Sequence, residues 1–316
     1  MTLPTPFPVA RYRLDWQVET PLRLPEYAGS ALRGAFGNAL RHTVCMTRQK
    51  DCPACPLWRS CPFPALFAPP PPAAGHSLQR FSQIPTPFVI EPPDWGQREY
   101  QPGAQLHFNH ILIGRALEQL PLIVHAWQRA FRHGIGSGDG TAQLRAVSLI
   151  DDQGTPHEVF DTVAERIQPH TTGIDLPPEP APDTLTLTLQ TPMRLQNNGQ
   201  PIRPPALEAR DLLVNLLRRT ALVSEFHAGT RLDENYHELA QAAARIESEK
   251  GLTWRDWTRY SSRQKQEMTL GGVIGQWTLR GDLQPFMPML HLGQWLHIGK
   301  NASFGLGRYR LNTNAD

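Results

Sequence analysis

The sequence predicts an α+β chain built from two copies of one module, and three observations lead there. Two alternating stretches, Tyr12-Arg13-Leu14-Asp15-Trp16-Gln17-Val18 and Thr184-Leu185-Thr186-Leu187-Thr188-Leu189, run into matching words, Glu19-Thr20-Pro21-Leu22-Arg23-Leu24 and Gln190-Thr191-Pro192-Met193-Arg194-Leu195. Pro121 and Pro285 each open a helix that leads into a glycine-rich loop, at His133 through Gly140 and at His297 through Gly307. A further strand pattern follows each loop. Landmarks that recur in one order over 316 residues argue for duplication, and the length lets each copy bury its own core.

Taken in order, the first alternating stretch has the period of a half-buried strand. Ser30 is placed to cap a helix whose Leu32, Phe36, Ala39 and Leu40 share a face, with Arg33, Asn38, Arg41 and His42 turned away from it. A strand-like stretch near 105–113, a Pro-started helix at 121–132, the glycine-rich loop and a closing strand at 141–150 complete the first copy. The second copy repeats the series. Its strand from Thr184 is followed by a helix at 206–223, with Leu212, Leu213, Leu216 and Leu217 as the buried stripe and Arg210, Arg218 and Arg219 outside. An inserted helix at 233–249, a strand near 272–280, a helix at 285–296 and a closing strand at 307–312 follow. Strand, helix, strands, helix, strand is the ferredoxin-like (RRM-like) arrangement, whose sheet face commonly binds single-stranded RNA. The expected organisation is therefore two tandem ferredoxin-like domains, 1–175 and 184–316, joined by a proline-rich linker at 176–183. Prolines concentrate at 62–93 and 177–182, marking irregular crossings more than helices.

Composition narrows the function. A net charge of +2 excludes a histone-like polycation, so a nucleic-acid site must be a local patch. The 31 basic side chains are mostly arginine, which suits bidentate phosphate contacts and is equally the bias of a GC-rich genome. No basic, apolar and small-residue sequence marks a signal peptide, and no apolar run approaches the ~18 residues of a membrane span, so a cytoplasmic protein with no membrane partner is expected.

All 4 cysteines, Cys45, Cys52, Cys55 and Cys61, fall in one short stretch with the spacing C-x6-C-x2-C-x5-C. In a cytoplasmic protein such a cluster reads as a metal site more readily than as disulfides. A structural zinc held by four thiolates is expected in this insertion of the first domain, and an iron–sulfur cluster is also compatible with the spacing. A closed four-thiolate site has no open coordination position, so it would fix the loop after the first helix, and His42 with it.

Glycine lets a backbone approach a phosphate closely, and the loop at 297–307 carries Lys300 among its glycines. Together, Tyr27-Ala28-Gly29-Ser30-Ala31-Leu32-Arg33-Gly34-Ala35-Phe36-Gly37, the cysteine cluster, Arg259-Tyr260-Ser261-Ser262-Arg263-Gln264, and His297-Ile298-Gly299-Lys300 through Gly305-Leu306-Gly307-Arg308-Tyr309 resemble one family. It is the RAMP-superfamily endoribonucleases that process CRISPR precursor RNA, the sixth Cas family. The resemblance spans essentially the whole chain. It implies two ferredoxin-like domains, a C-terminal glycine-rich loop on the RNA backbone, and metal-independent cleavage within each CRISPR repeat. The implied products are a 5′-hydroxyl end, a 2′,3′-cyclic phosphate end, and a mature guide RNA for an effector complex.

Cleaving RNA through its own 2′-hydroxyl needs a base, an acid and a cation near the pentavalent phosphate. His42 is the first choice for base or acid, since similar enzymes often keep a catalytic His on the outward side of the first helix. Where similar sequences often carry His, this chain has Asn38, which cannot shuttle protons; His42 lies one turn further along that face. Lys300 is the candidate phosphate contact or transition-state cation, and His297 the candidate acid. Tyr260 and Arg263 suit clamping an unpaired base, while Arg33, Arg41, Gly299, Asn301, Gly305, Gly307 and Arg308 are expected along the RNA. The rival reading is a non-catalytic RAMP subunit that grips guide RNA inside an effector complex.

Overall fold

The computed structural model describes residues 3–72, 84–96, 99–176, 180–261 and 266–312, with backbone alone for 258–261 and 266–269. The chain divides into two compact units. One consists of Pro8–Ile174 with Phe226–Ala228; the other consists of Met1–Phe7, Asp175–Glu225 and Gly229–Asp316.

In the first unit the alternating stretch forms β1 (Val9–Val18), with Tyr12, Leu14, Trp16 and Val18 buried and the residues between them half-exposed. Helix α1 (Gly29–Val44), a short helix α2 (Pro62–Phe67), β2 (Phe88–Glu91), β3 (Gln105–Ile113), α3 (Leu120–His133), β4 (Ala142–Ile150) and β5 (Pro156–Glu158) follow. The sheet order is β2-β3-β1-β4-β5 and every pairing is antiparallel. Trp16 stacks on Phe131 of α3 with ring centroids 4.1 Å apart, and Phe36 of α1 stacks on Trp127 of α3 at 5.1 Å, so the two helices cover one face of the sheet through aromatic rings. Ser30 does not cap α1. The helix begins at Gly29 with Ala28 at its N-cap, so Ser30 lies inside the first turn.

The second unit contains β6 (Thr184–Met193), α4 (Ala209–Val223), α5 (Tyr236–Ala243), β7 (Glu247–Ser261), β8 (Gln266–Arg280), α6 (Met287–Leu296) and β9 (Tyr309–Asn312). Its sheet order, β7-β8-β6-β9, repeats that of the four main strands of the first unit, and all pairings are again antiparallel. Leu185, Leu187 and Leu189 of β6 meet the leucine stripe of α4 and Trp277 of β8 in one core. The helix expected at 233–249 is shorter. Asn235 caps it by accepting from the Glu238 N–H at 3.2 Å, and from Glu247 onward the chain pairs with β8, because cross-strand pairing overrides the helical preference of Glu-Ser-Glu-Lys.

The likeness of the two units extends to single hydrogen bonds. Glu19 N–H donates to Thr141 O at 2.9 Å, and the Thr141 N–H returns to Thr20 Oγ1 at 2.9 Å. In the second unit Gln190 N–H donates to Arg308 O at 2.8 Å, and the Arg308 N–H returns to Thr191 Oγ1 at 2.9 Å. Both glycine-rich loops are tied by an N–H to the arginine of the Thr-Pro-x-Arg word: Ser137 to Arg23 O at 3.2 Å, and Lys300 to Arg194 O at 2.9 Å. The Thr191 hydroxyl also donates to Gly305 O at 2.7 Å. Thr191→Val is therefore expected to lower unfolding free energy by ~1–2 kcal/mol in urea denaturation, the size of hydrogen bonds left half-made. No measurable change would show that the threonine peg is dispensable.

Among the described residues, no helix is long and apolar enough to cross a membrane.

Candidate active site

α1 and α3 bury their apolar faces in the first unit, which leaves the polar side chains near their C-terminal ends on the outside. Asn38 and His42 stand one turn apart on α1, and Arg129 and His133 one turn apart on α3, so each pair shares a helix face. These four side chains line one pocket of about 240 Å³, floored by alanines of both helices and by Gly134. Among the described residues, no carboxylate lines it. His42 and His133 are exposed and Arg129 is half-buried, so the pocket offers two imidazoles and a guanidinium with no anion among its lining groups. The His133 Nδ1 lies 2.9 Å from the Arg129 carbonyl oxygen.

The other basic residues expected on α1 have structural partners. The Arg33 guanidinium lies 4.0 Å from the centre of the Phe67 ring and donates to Phe67 O at 3.4 Å. Arg41 donates to the carbonyls of Gln49 and Lys50 at 2.6 and 3.1 Å, holding down the loop that follows the helix.

In the second unit, Lys300 is exposed on the glycine-rich loop, beside Asn301 in the left-handed region at φ +67°. The loop's N–H groups are largely used inside the unit. Those of Ile298, Lys300, Phe304, Gly305 and Gly307 donate to backbone carbonyls, and that of Arg308 to Thr191. A Cβ on Gly307 would lie 1.8 Å from Ile298 O, and one on Gly299 would lie 2.6 Å from Arg194 O, so packing alone demands both glycines. His297, the candidate acid, is enclosed. It occupies the C-cap of α6 at φ +55°, is 0 % exposed, and donates its N–H to Gly293 O at 2.8 Å. Arg219 of α4 is partly buried and donates through Nε and Nη2 to Leu296 O at 2.9 and 2.6 Å, which satisfies a carbonyl at the end of α6; desolvation pulls its pKa down to about 10. The side chain of Tyr260 and all of Arg263 lie outside the described residues.

Cys45, Cys52, Cys55 and Cys61 are all free thiols and line one small cavity of about 30 Å³ together with Trp58 and Phe63. Burial pushes the Cys52 thiol up; the Arg41 charge opposes that, and the other three cysteines add to it. The Thr47 hydroxyl lies 3.3 Å from Cys55 Sγ. Among the described residues, no three His, Cys, Asp or Glu side chains are disposed to hold a metal ion, so the expected four-thiolate set shares a cavity without closing around an ion.

Arg129 and His133 are the site residues that sequence reasoning missed. Their signal was present as two basic side chains four apart in the last turns of the Pro121 helix, matching Asn38 and His42 on α1. That these pairs face one pocket follows from the packing of α1 on α3, which no local pattern contains.

Residues 7–172 match a family model described as an N-terminal domain, AF_1859_N, and residues 187–309 match the model of the CRISPR-associated endoribonuclease Cas6. An uncharacterized protein of Archaeoglobus fulgidus is 24 % identical over 298 residues, which cover 92 % of this chain and 93 % of that protein. A Thermus thermophilus Cas6 (TTHB231) is similar in structure with a TM-score of 0.53 at 14 % identity, covering 97 % of this chain and 99 % of that one. A product complex of Cas6 (TTHB231) gives a TM-score of 0.56 at 17 % identity, covering 96 % of this chain and 100 % of that one. A partial Cas6-RT-Cas1–Cas2 complex gives a TM-score of 0.56 at 16 % identity, covering 99 % of this chain and 47 % of that one. At these identities the structural likenesses speak for the fold. The chain belongs, through residues 7–172, to the AF_1859_N family, and its residues 187–309 are similar to the CRISPR-associated endoribonuclease Cas6.

Proposed function

We propose that the chain is a CRISPR repeat endoribonuclease of two tandem ferredoxin-like domains. It cuts the precursor transcript by attack of the RNA's own 2′-hydroxyl, leaves 2′,3′-cyclic phosphate and 5′-hydroxyl ends, and needs no metal for the chemistry. The observation that carries this reading is the pocket at the ends of α1 and α3, where His42 stands beside a guanidinium with no carboxylate in the lining, in a chain whose C-terminal part matches Cas6. Such a pocket suits a phosphodiester, and an imidazole supplies the proton transfer. Asn38 lines the same pocket as His42, so an imidazole one turn further along α1 reaches the space that a His at Asn38 would occupy. Lys300, exposed on its loop, contacts the RNA backbone. The cleaved guide passes to an effector complex, and the protein works in the cytoplasm.

Asn38 also favours a second reading, a subunit that grips guide RNA without cutting it. Labelled repeat RNA separates the two: a single cut within the repeat, absent with a scrambled sequence, supports the endoribonuclease. Tight repeat-specific binding without any cut supports the gripping subunit.

The cysteine loop belongs to the same proposal as a structural element. A zinc ion drawn in by Cys45, Cys52, Cys55 and Cys61 would require the loop to tighten around the cavity they share. The purified protein is expected to carry about one zinc per chain, and Cys52→Ser to lose it with a lower melting temperature. Protein that is metal-free as purified and melts unchanged on adding zinc would remove the metal from the account.

A further inference from the structure

The reaction needs two proton-transfer groups and a cation, and His42 fills one of these three places. His297, the expected acid, is 0 % exposed and therefore has no surface to offer a departing oxygen. We propose that His133 is the second proton-transfer group and Arg129 the cation beside the scissile phosphate, both presented by α3 to the pocket that Asn38 and His42 line from α1. The inference rests on the endoribonuclease reading.

A backbone carbonyl only accepts hydrogen bonds. The 2.9 Å contact to Arg129 O therefore keeps a proton on His133 Nδ1, fixes the ring, and makes Nε2 the atom that gains and loses a proton. His133 is exposed, so this nitrogen is open to a substrate. Arg129, one turn back on the same helix face, brings a permanent positive charge into a pocket that no carboxylate lines. In the step itself, one neutral imidazole takes the 2′-hydroxyl proton as the O2′–P bond forms. The other, as imidazolium, gives its proton to the 5′-oxygen as the P–O5′ bond breaks. The phosphate enters as a diester anion and leaves as a cyclic diester anion, and the two imidazoles exchange protonation states, to be reset by water. Arg129 balances the added charge on the pentavalent phosphorus between these states.

The test compares the wild type with His42→Ala and His133→Ala on two RNAs, the ordinary repeat and the same repeat with sulfur in place of the 5′-bridging oxygen at the cut. Both histidines are exposed, and melting temperatures close to wild type establish that the variants fold. On the ordinary RNA each variant is expected to be slower by ~10²-fold or more. A sulfur leaving group departs without a proton, so on the second RNA one variant is expected to recover and the other to stay slow. A His133→Ala rate within tenfold of wild type, or sulfur rescue of both variants or of neither, overturns the assignment. Arg129→Lys is expected to retain more activity than Arg129→Gln; equal losses would give Arg129 a packing role instead. If the wild type cuts neither RNA, the endoribonuclease reading fails and this inference with it; if it cuts and His133 is indifferent, this inference fails alone.

Discussion

His42→Ala is expected to lower single-turnover cleavage of repeat RNA by ~10²-fold or more while changing RNA affinity and melting temperature little. Affinity and folding should survive because His42 is exposed on a helix whose core contacts come from the buried Leu32, Phe36, Ala39 and Leu40. The rate should fall because the ring lines a pocket with no carboxylate able to take over proton transfer. Asn38 allows a sharper version. Adding Asn38→His to the His42→Ala protein puts an imidazole back into the same pocket one turn earlier, and partial recovery of the rate is expected. A loss below about tenfold for His42→Ala removes His42 from the mechanism, being smaller than proton-transfer loss usually costs.

The second large effect is on stability in acid, and it comes from His110. This side chain on β3 is buried against the Phe36 and Phe88 rings, and its Nδ1 accepts the Trp127 indole N–H at 2.9 Å. Indole only donates, so His110 is held neutral with its proton on Nε2. Burial pulls its pKa from 6.5 down to about 3. The unfolded chain therefore takes up a proton below pH 6.5 that the folded chain refuses until about pH 3. Its contribution to stability is complete above 6.5 and falls as the pH drops through that window, by ~1.4 kcal/mol per pH unit. Between pH 6.5 and pH 4 this amounts to ~3 kcal/mol. His110→Gln keeps an acceptor for Trp127 and removes the titration, so urea denaturation should show an acid-side loss smaller by about that amount. Parallel pH dependence of the two proteins would mean that His110 is charged, or solvated, in the fold.

The residues that spoke for themselves in the sequence were those whose local pattern and final environment agree. Tyr12, Leu14, Trp16 and Val18 alternate because one face of β1 is buried, and Leu32, Phe36, Ala39 and Leu40 are spaced as the buried face of α1 requires. Thr20-Pro21 and Thr191-Pro192 repeat because each threonine hydroxyl accepts the N–H of the residue that opens the closing strand pattern. Other features depended on distant partners. Glu247 to Lys250 carries a helix-forming composition, yet its register against Trp277 to Arg280 makes it a strand. His297 is a polar residue and is still fully buried, at the C-cap of α6 with positive φ. The site was half legible for the same reason. His42 could be picked from its outward face on α1, whereas Arg129 and His133 enter only once α1 and α3 are packed together.

In the proposed reaction the RNA supplies its own nucleophile in a pocket that needs no metal. The direct measurement is to incubate the purified protein, in excess EDTA, with two repeat RNAs that differ only by a 2′-deoxy sugar on the 5′ side of the mapped cut. One cut is expected in the all-ribose RNA, with a 2′,3′-cyclic phosphate end, and none in the deoxy-substituted RNA. Cleavage of the deoxy-substituted RNA, or activity that vanishes with EDTA and returns with a divalent ion, would contradict it.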